Sequence, residues 1–218
     1  MTLTTIRGLM DLVDWRRRTA ELYAEARSES ETEPRAAWKH YRSARDRLFA
    51  GHPQSPLDEG QKVRFESLPY FPYDSAWRFN AGLELSAGTE DAASTRVLEV
   101  DLPEGALVLR SFARAFFTPP VRGAGRCALT LYWVEGYGGG LFLPFRDLTN
   151  SDATYGGGRY LYDTIKGADP GAGTESIILD FNFAYNPSCA YNPRWACPLS
   201  PPENALPFRV EAGEKRPT

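Results

Sequence analysis

The sequence is poor in the residues that do most catalytic and metal-binding work. Its 218 residues hold two histidines (His40 and His52), three cysteines and two methionines. Three cysteines (Cys127, Cys189 and Cys197) are too few for a disulfide framework, which suits a reducing compartment. No apolar run approaches the roughly 20 residues that a membrane-spanning helix needs. Met1 to Leu12 lacks the basic region and apolar core of a secretory signal. A cytoplasmic protein with no membrane partner is therefore expected. An excess of positive charge is missing too: the formal net charge is −3, which argues against a general nucleic-acid partner. Internal repeats and low-complexity segments are absent.

Aromatics, glycine and proline are plentiful. An aromatic content of 13% with 19 Gly and 17 Pro favours strands and tight turns over a helical bundle. Residues 6 to 28 nevertheless read as an amphipathic helix, with Leu9, Leu12, Trp15, Thr19, Leu22 and Ala26 at three- and four-residue spacing. A second helix is expected from Pro34, with Ala37, Tyr41, Ala44 and Leu48 as its stripe and Gly51 with Pro53 as its stop. From Val63 onward the period switches to two. Strands are expected around Trp77 to Leu85, Leu98 to Leu102, Leu107 to Phe117, Cys127 to Trp133, Leu141 to Phe145, Tyr160 to Asp163, Ile177 to Ala184 and Phe208 to Ala212, with polar turns such as Gly88 to Ser94 between them. The pattern predicts a mainly β, α+β chain: a helical segment over residues 1–54, then an antiparallel barrel or sandwich over 55–218. Six prolines between Asn186 and Pro207 exclude a central strand or helix there, and the aromatics among them suit a lid near 186–207.

Two glycine triplets, Gly138 to Gly140 and Gly156 to Gly158, match neither a Walker loop nor a dinucleotide-binding turn. The second is flanked by Tyr155 and Arg159, which suits anion recognition by backbone N–H groups and a guanidinium, or simply a kinked strand. Asp180 and Asn182 lie two apart on an extended stretch, so both point to one face while Leu179, Phe181 and Phe183 point to the other. That polar face meets either solvent or the hollow of a barrel. With histidine so scarce, acid–base chemistry falls to Asp147, Asp163, Asp180, Glu203 or a tyrosine. Cys189 and Cys197 can pair, react, or sit inert and buried; two thiols alone make a poor zinc site.

Several motifs resemble an uncharacterised bacterial and archaeal domain family of about two hundred residues. They are Leu68-Pro-Tyr-Phe-Pro-Tyr-Asp74 with Trp77-Arg78, Gly140-Leu-Phe-Leu-Pro-Phe-Arg-Asp147, Thr154-Tyr-Gly-Gly-Gly-Arg-Tyr160, Asp180-Phe-Asn-Phe-Ala-Tyr-Asn-Pro187, Cys189-Ala190, Cys197-Pro-Leu199, Pro202-Glu-Asn204 and Ala212-Gly-Glu-Lys215. The resemblance runs from about Asp14 to Lys215, with a shorter segment before Ser55-Pro56 than other members carry. It implies no activity and no cofactor. It implies only that Arg146, Asp147, Thr154, Tyr155, Arg159, Asp180, Asn182, Tyr185, Asn186, Cys189, Cys197, Glu203 and Asn204 recur.

Three functions are compatible with these residues. The first is a pocket for a small polar or anionic molecule, built from Arg146, Arg159, Tyr155, Asp180, Asn182, Tyr185 and Asn186. The second is an enzyme of hydrolase or isomerase type using Asp180, Cys189 or Tyr155. The third is a non-catalytic interaction module. No metal site is expected, and oligomeric state cannot be read from the chain.

Overall fold

The computed structural model describes residues 6–85, 96–102 and 105–217. Helix α1 (Ile6–Glu29) and helix α2 (Pro34–Gly51) form an antiparallel pair joined by a tight turn. Pro34 opens α2, where its missing N–H costs nothing. The facing stripes, Leu22, Tyr23 and Ala26 against Trp38, Tyr41 and Phe49, are buried together, and the Tyr23 and Tyr41 hydroxyls lie 3.0 Å apart. A short helix α3 (Glu59–Arg64) follows, which the period-two reading from Val63 did not anticipate. Asp58 accepts from the Gln61 N–H and Gln61 Oε1 accepts from the Asp58 N–H, a reciprocal cap. Among the described residues, no helix is long and apolar enough to cross a membrane.

Among the described residues, seven strands make one antiparallel sheet: β1 (Arg78–Leu85), β2 (Val97–Leu102), β3 (Gly105–Phe117), β4 (Cys127–Val134), β5 (Gly140–Phe145), β6 (Arg159–Asp163) and β7 (Ser176–Asp180). Their order is β6-β5-β4-β3-β1-β7. Strands β1 and β2 share one edge of the long β3, with β1 opposite Ala113 to Phe116 and β2 opposite Gly105 to Arg110. The turn expected at Gly88 to Ser94 lies outside the described residues. The sheet curls until its two ends nearly meet. Tyr160 of β6 bridges Tyr185, and the Tyr162 hydroxyl lies 2.7 Å from the carbonyl oxygens of both Gly171 and Ile178. The result is an α+β, mainly β fold: a helical pair with an antiparallel half-barrel.

Three expectations need correction. The alternation in the sequence puts Leu107, Leu109, Ala113, Ala115 and Phe117 on one face of a long strand, but a bulge between Ser111 and Ala113 flips it. Leu107 and Leu109 pack with Tyr132, Val134 and Phe142, while Ala113, Ala115 and Phe117 enter the main core. Strand β7 stops at Asp180, and residues Phe181–Phe183 form a 3-10 turn capped by the Asp180 side chain. Residues 208–212 are extended with Phe208, Val210 and Ala212 buried as predicted, yet they belong to no strand.

The concave side of the sheet is filled. Trp77, Phe117, Leu131, Leu143, Phe181 and Phe208 meet there with many smaller apolar side chains, and edge-on aromatic contacts such as Phe145–Phe181 at 5.1 Å lock them. Where a polar hollow was expected, the half-barrel encloses an apolar core.

Candidate functional site

Asp180 looks away from that core. Its neighbours Ile177 and Leu179 are core residues, while Asp180 faces Tyr23, Ala26 and Arg27 of α1. Its Oδ1 accepts from the Asn182 N–H at 3.0 Å and from Asn182 Nδ2 at 2.9 Å. Asn182, fully buried, also holds the backbone of Asp74 from both sides, and Trp38 Nε1 donates to its carbonyl. Asp180 Oδ2 has no hydrogen-bond donor and forms an ion pair at 3.4 Å with Arg78 Nε, which likewise makes no hydrogen bond. Burial pushes the carboxyl up to about 6, against the opposing pull of Asn182 and Arg78. The cleft beside it measures about 10 Å³, room for a single water.

Arg159 is wholly buried between the β5–β6 connection and the C-terminal segment. Its Nη2 donates to Asp147 Oδ2 and to the Val210 carbonyl, both at 2.9 Å, and its Nη1 donates to the carbonyls of Ala212 and Glu214. Residues 210–214 thus bond to a guanidinium in place of a neighbouring strand. Asp147 Oδ1 accepts from the Thr149 and Val210 N–H groups. Arg146 points into solvent, while its backbone exchanges bonds with Asn204 and Leu206. Asn186 is held by Glu214 Oε2 at its N–H and by the Lys215 carbonyl at its amide. Glu214 pairs with Arg45 at 3.2 Å, and Arg45 lies over the Tyr185 ring. Asn204 inserts its amide between β4 and β5, bonding the Thr130 N–H and the carbonyls of Thr130 and Pro144.

Tyr155, Cys189 and Cys197 come together elsewhere. Tyr155 leaves a turn fixed by side chains: Thr149 and Thr154 hydroxyls meet at 2.8 Å, and Asn150 Nδ2 donates to the Tyr155 carbonyl at 2.6 Å. Cys189 sits in a 3-10 turn (Ser188–Ala190) just after the anchored Asn186. Cys197 precedes Pro198, whose carbonyl takes the Tyr160 hydroxyl. The Tyr155 hydroxyl donates to Cys189 Sγ at 3.5 Å, and the Cys189 N–H donates to Cys197 Sγ at 3.4 Å. Both cysteines are half-buried and unbonded.

The Tyr155 hydroxyl is thus a donor to the Cys189 sulfur, while the Cys189 N–H serves Cys197. The hydrogen bond from Cys197 draws the Cys189 thiol down to about 6; burial opposes it, and the Tyr155 hydroxyl, its own backbone N–H and the Lys166 ammonium assist. Cys197 moves up in turn, first because it gives that hydrogen bond and then through burial. Tyr155 is pushed up to about 12 by its bond to Cys189 and by burial, so it stays a donor. Lys166, which pairs with Asp163 at 3.1 Å, was not among the residues singled out from the sequence. Neither was Arg78 as Asp180's companion, nor the Arg45–Glu214 pair. Two of the three pairs join residues distant in the chain, and Asp163–Lys166 is three residues apart.

The two histidines are engaged within the helical segment. His40 Nδ1 meets Glu29 at 2.9 Å. His52 Nδ1 accepts the Gln54 N–H, so its Nε2 carries the proton toward Asp14 at 3.2 Å. A cleft of about 550 Å³ between α1 and α2 is lined by charges of both signs, among them Asp14, already paired with Arg17, Arg18 and His52. Among the described residues, no group of three or more His, Cys, Asp or Glu is placed to hold a metal ion.

A family model described as "Protein of unknown function (DUF1684)" matches residues 63–215. Among solved structures, the chain is similar to an uncharacterized protein of Haloarcula marismortui determined by solution NMR. The two share 28% identity and a TM-score of 0.57, over 86% of this chain and 97% of that one. Comparison with curated proteins gives no match.

Proposed function

The chain belongs to the family of proteins of unknown function DUF1684, as its motifs implied, and for this member we propose a thiol-dependent activity centred on Cys189. The Cys189 thiolate attacks a small electrophilic molecule, and Tyr155 holds the sulfur in place by donating to it. One observation carries this reading: two residues 34 apart in the chain, both candidates on chemical grounds, meet sulfur to hydroxyl at 3.5 Å. A thiolate is the reactive form, and donors converging on one sulfur are what stabilises it near neutral pH. Histidine has no part in it.

Alkylation by iodoacetamide, followed site by site across pH, tests the proposal. Cys189 is expected to react with a midpoint near 6, well ahead of Cys127, whose thiol burial pushes up. Equal labelling of the two cysteines below neutral pH would overturn it.

One observation supports a second reading, recognition of a small polar molecule at Asp180. Asp180 Oδ2 and Arg78 Nε are both buried, make no hydrogen bond and meet only as an ion pair at 3.4 Å, beside an opening of about 10 Å³. Such a space takes a water or the tip of a ligand's amine or amide, not a whole metabolite. Thermal-shift screening with small amines and amides tests it: stabilisation that disappears in Asp180→Asn supports it, and no shift with any compound ends it.

A further inference from the structure

We propose that Cys189 and Cys197 form a reversible disulfide through which the protein reduces small hydroperoxides, Cys189 taking the oxygen and Cys197 resolving the intermediate. This rests on the reading of Cys189 as the reactive thiolate and adds to it a substrate class and a second thiol with its own role.

Placement supports the pair. The Cys189 N–H points at Cys197 Sγ from 3.4 Å, which sets the second cysteine's sulfur directly against the first cysteine. Both side chains are half-buried, open enough for a small oxidant and sheltered enough to restrict larger ones. Of the segment between them, residues 190–196, only Ala190 is in a regular element, the end of the 3-10 turn, so movement to S–S bonding distance breaks no sheet ladder. The third cysteine, Cys127, stands at the start of β4 and makes its own bond to the Gly125 carbonyl.

The chemistry balances without a metal or an organic cofactor. Cys189 sulfur attacks the terminal oxygen of a hydroperoxide; the S–O bond forms as the O–O bond breaks. The alkoxide leaves and takes a proton from solvent, and Cys189 becomes a sulfenic acid, oxidised by two electrons as the peroxide is reduced. Cys197 sulfur then attacks Cys189 sulfur. The S–S bond forms, the S–O bond breaks, and the hydroxyl departs as water with the proton of the Cys197 thiol. A small dithiol reductant returns both thiols by exchange.

The test treats the reduced full-length protein with hydrogen peroxide, followed by thiol titration and intact and peptide mass spectrometry. Free thiols are expected to fall from three to one, with loss of two hydrogens, a Cys189–Cys197 cross-linked peptide, and full recovery with dithiothreitol. Cys197→Ser is expected to stop at a Cys189 sulfenic acid that dimedone traps; Cys189→Ser is expected to keep both remaining thiols. Three free thiols after treatment, oxidation confined to Cys127, or a disulfide only between two chains would each overturn the proposal. Its failure is separable from that of the thiolate reading. Should Cys189 still alkylate with a midpoint near 6 while no disulfide forms, the reactive thiolate stands and the resolving role falls. Should Cys189 also fail to alkylate selectively, both fall.

Discussion

Arg159 donates to Asp147 across 2.9 Å, and neither side chain has any exposure to solvent. Its two terminal nitrogens also hold the carbonyls of Val210, Ala212 and Glu214. One buried cation therefore fastens the last stretch of chain to the β5–β6 connection, supplying the hydrogen bonds that a neighbouring strand would have supplied.

Removing that cation should be costly. Arg159→Met leaves Asp147 charged, buried and short of a partner, and frees three carbonyls at once. A loss of about 3–5 kcal/mol is expected for breaking one side of such a pair, read as a fall in the urea midpoint at neutral pH. Arg159→Lys keeps the charge but not the planar fork, so it should recover only part of the loss. A variant as stable as the parent would mean that the guanidinium does not secure this segment.

The two glycine triplets separate by the same measurement. Gly158 has φ +94, and a Cβ there would lie 2.6 Å from the Phe145 carbonyl oxygen. Gly138 has φ +78 with nothing within 4 Å. Gly138→Ala should cost about 1 kcal/mol, the left-handed backbone alone. Gly158→Ala adds a clash with rigid backbone and should cost about 3 kcal/mol or more. Equal costs would show that β6 can shift to make room.

Much of the architecture was legible because it repeats locally. The stripe of Trp15, Leu22 and Ala26 marks α1 to within a residue at its end, and the alternation Phe79, Ala81, Leu83 marks β1. Where reading failed, the deciding contact was not local. Strand β7 ends early because the Asp180 side chain caps its own backbone, and residues 208–212 resemble a strand whose partner is an arginine 50 positions earlier. The bulge in β3 lies in its pairing with β4, between the stretches that β2 and β1 cover on the opposite edge. The site was half legible: Tyr155 and Cys189 stood out by residue type, while nothing in their spacing said that they touch.

Asp180 should make stability depend on pH in a predictable direction. Its carboxyl titrates near 6 in the fold, above about 3.9 in an unfolded chain. The native state therefore binds this proton more tightly. The stabilisation is complete below about 3.9 and is lost as pH rises through 6. Asp180→Asn keeps an oxygen for the Asn182 donors and removes the charge. Relative to the parent it should gain on the order of 1–2 kcal/mol on moving from about pH 4 to about pH 7.5. Arg78 tempers the gain, since it loses its counter-charge, though its side chain is 26% exposed and can hydrate. Comparing the two proteins at each pH cancels other groups such as Glu214. An unchanged difference would place the charge of Asp180 in a better-solvated setting than the structure gives it.

Tyr155→Phe examines the reactive sulfur without touching it. The ring keeps its packing, and only the hydroxyl that donates to Cys189 Sγ is lost. The stronger influence, the hydrogen bond from Cys197, remains. The Cys189 midpoint should therefore rise from about 6 yet stay below the roughly 8.5 of a free thiol. Alkylation slightly above pH 6 should slow roughly 3–10-fold, one pKa unit being a tenfold change in thiolate. Well above pH 9 the rate should match the parent, because thiolate is then complete in both. Cys197→Ala should raise the midpoint further than Tyr155→Phe does, whereas Cys197→Ser, which still carries an O–H donor, should raise it less than Cys197→Ala. A uniform loss of rate at every pH would indicate displaced geometry instead of a lost donor. An inverted order, with tyrosine outweighing cysteine, would mean that the neighbouring thiol does not hold the Cys189 sulfur in its ionised form.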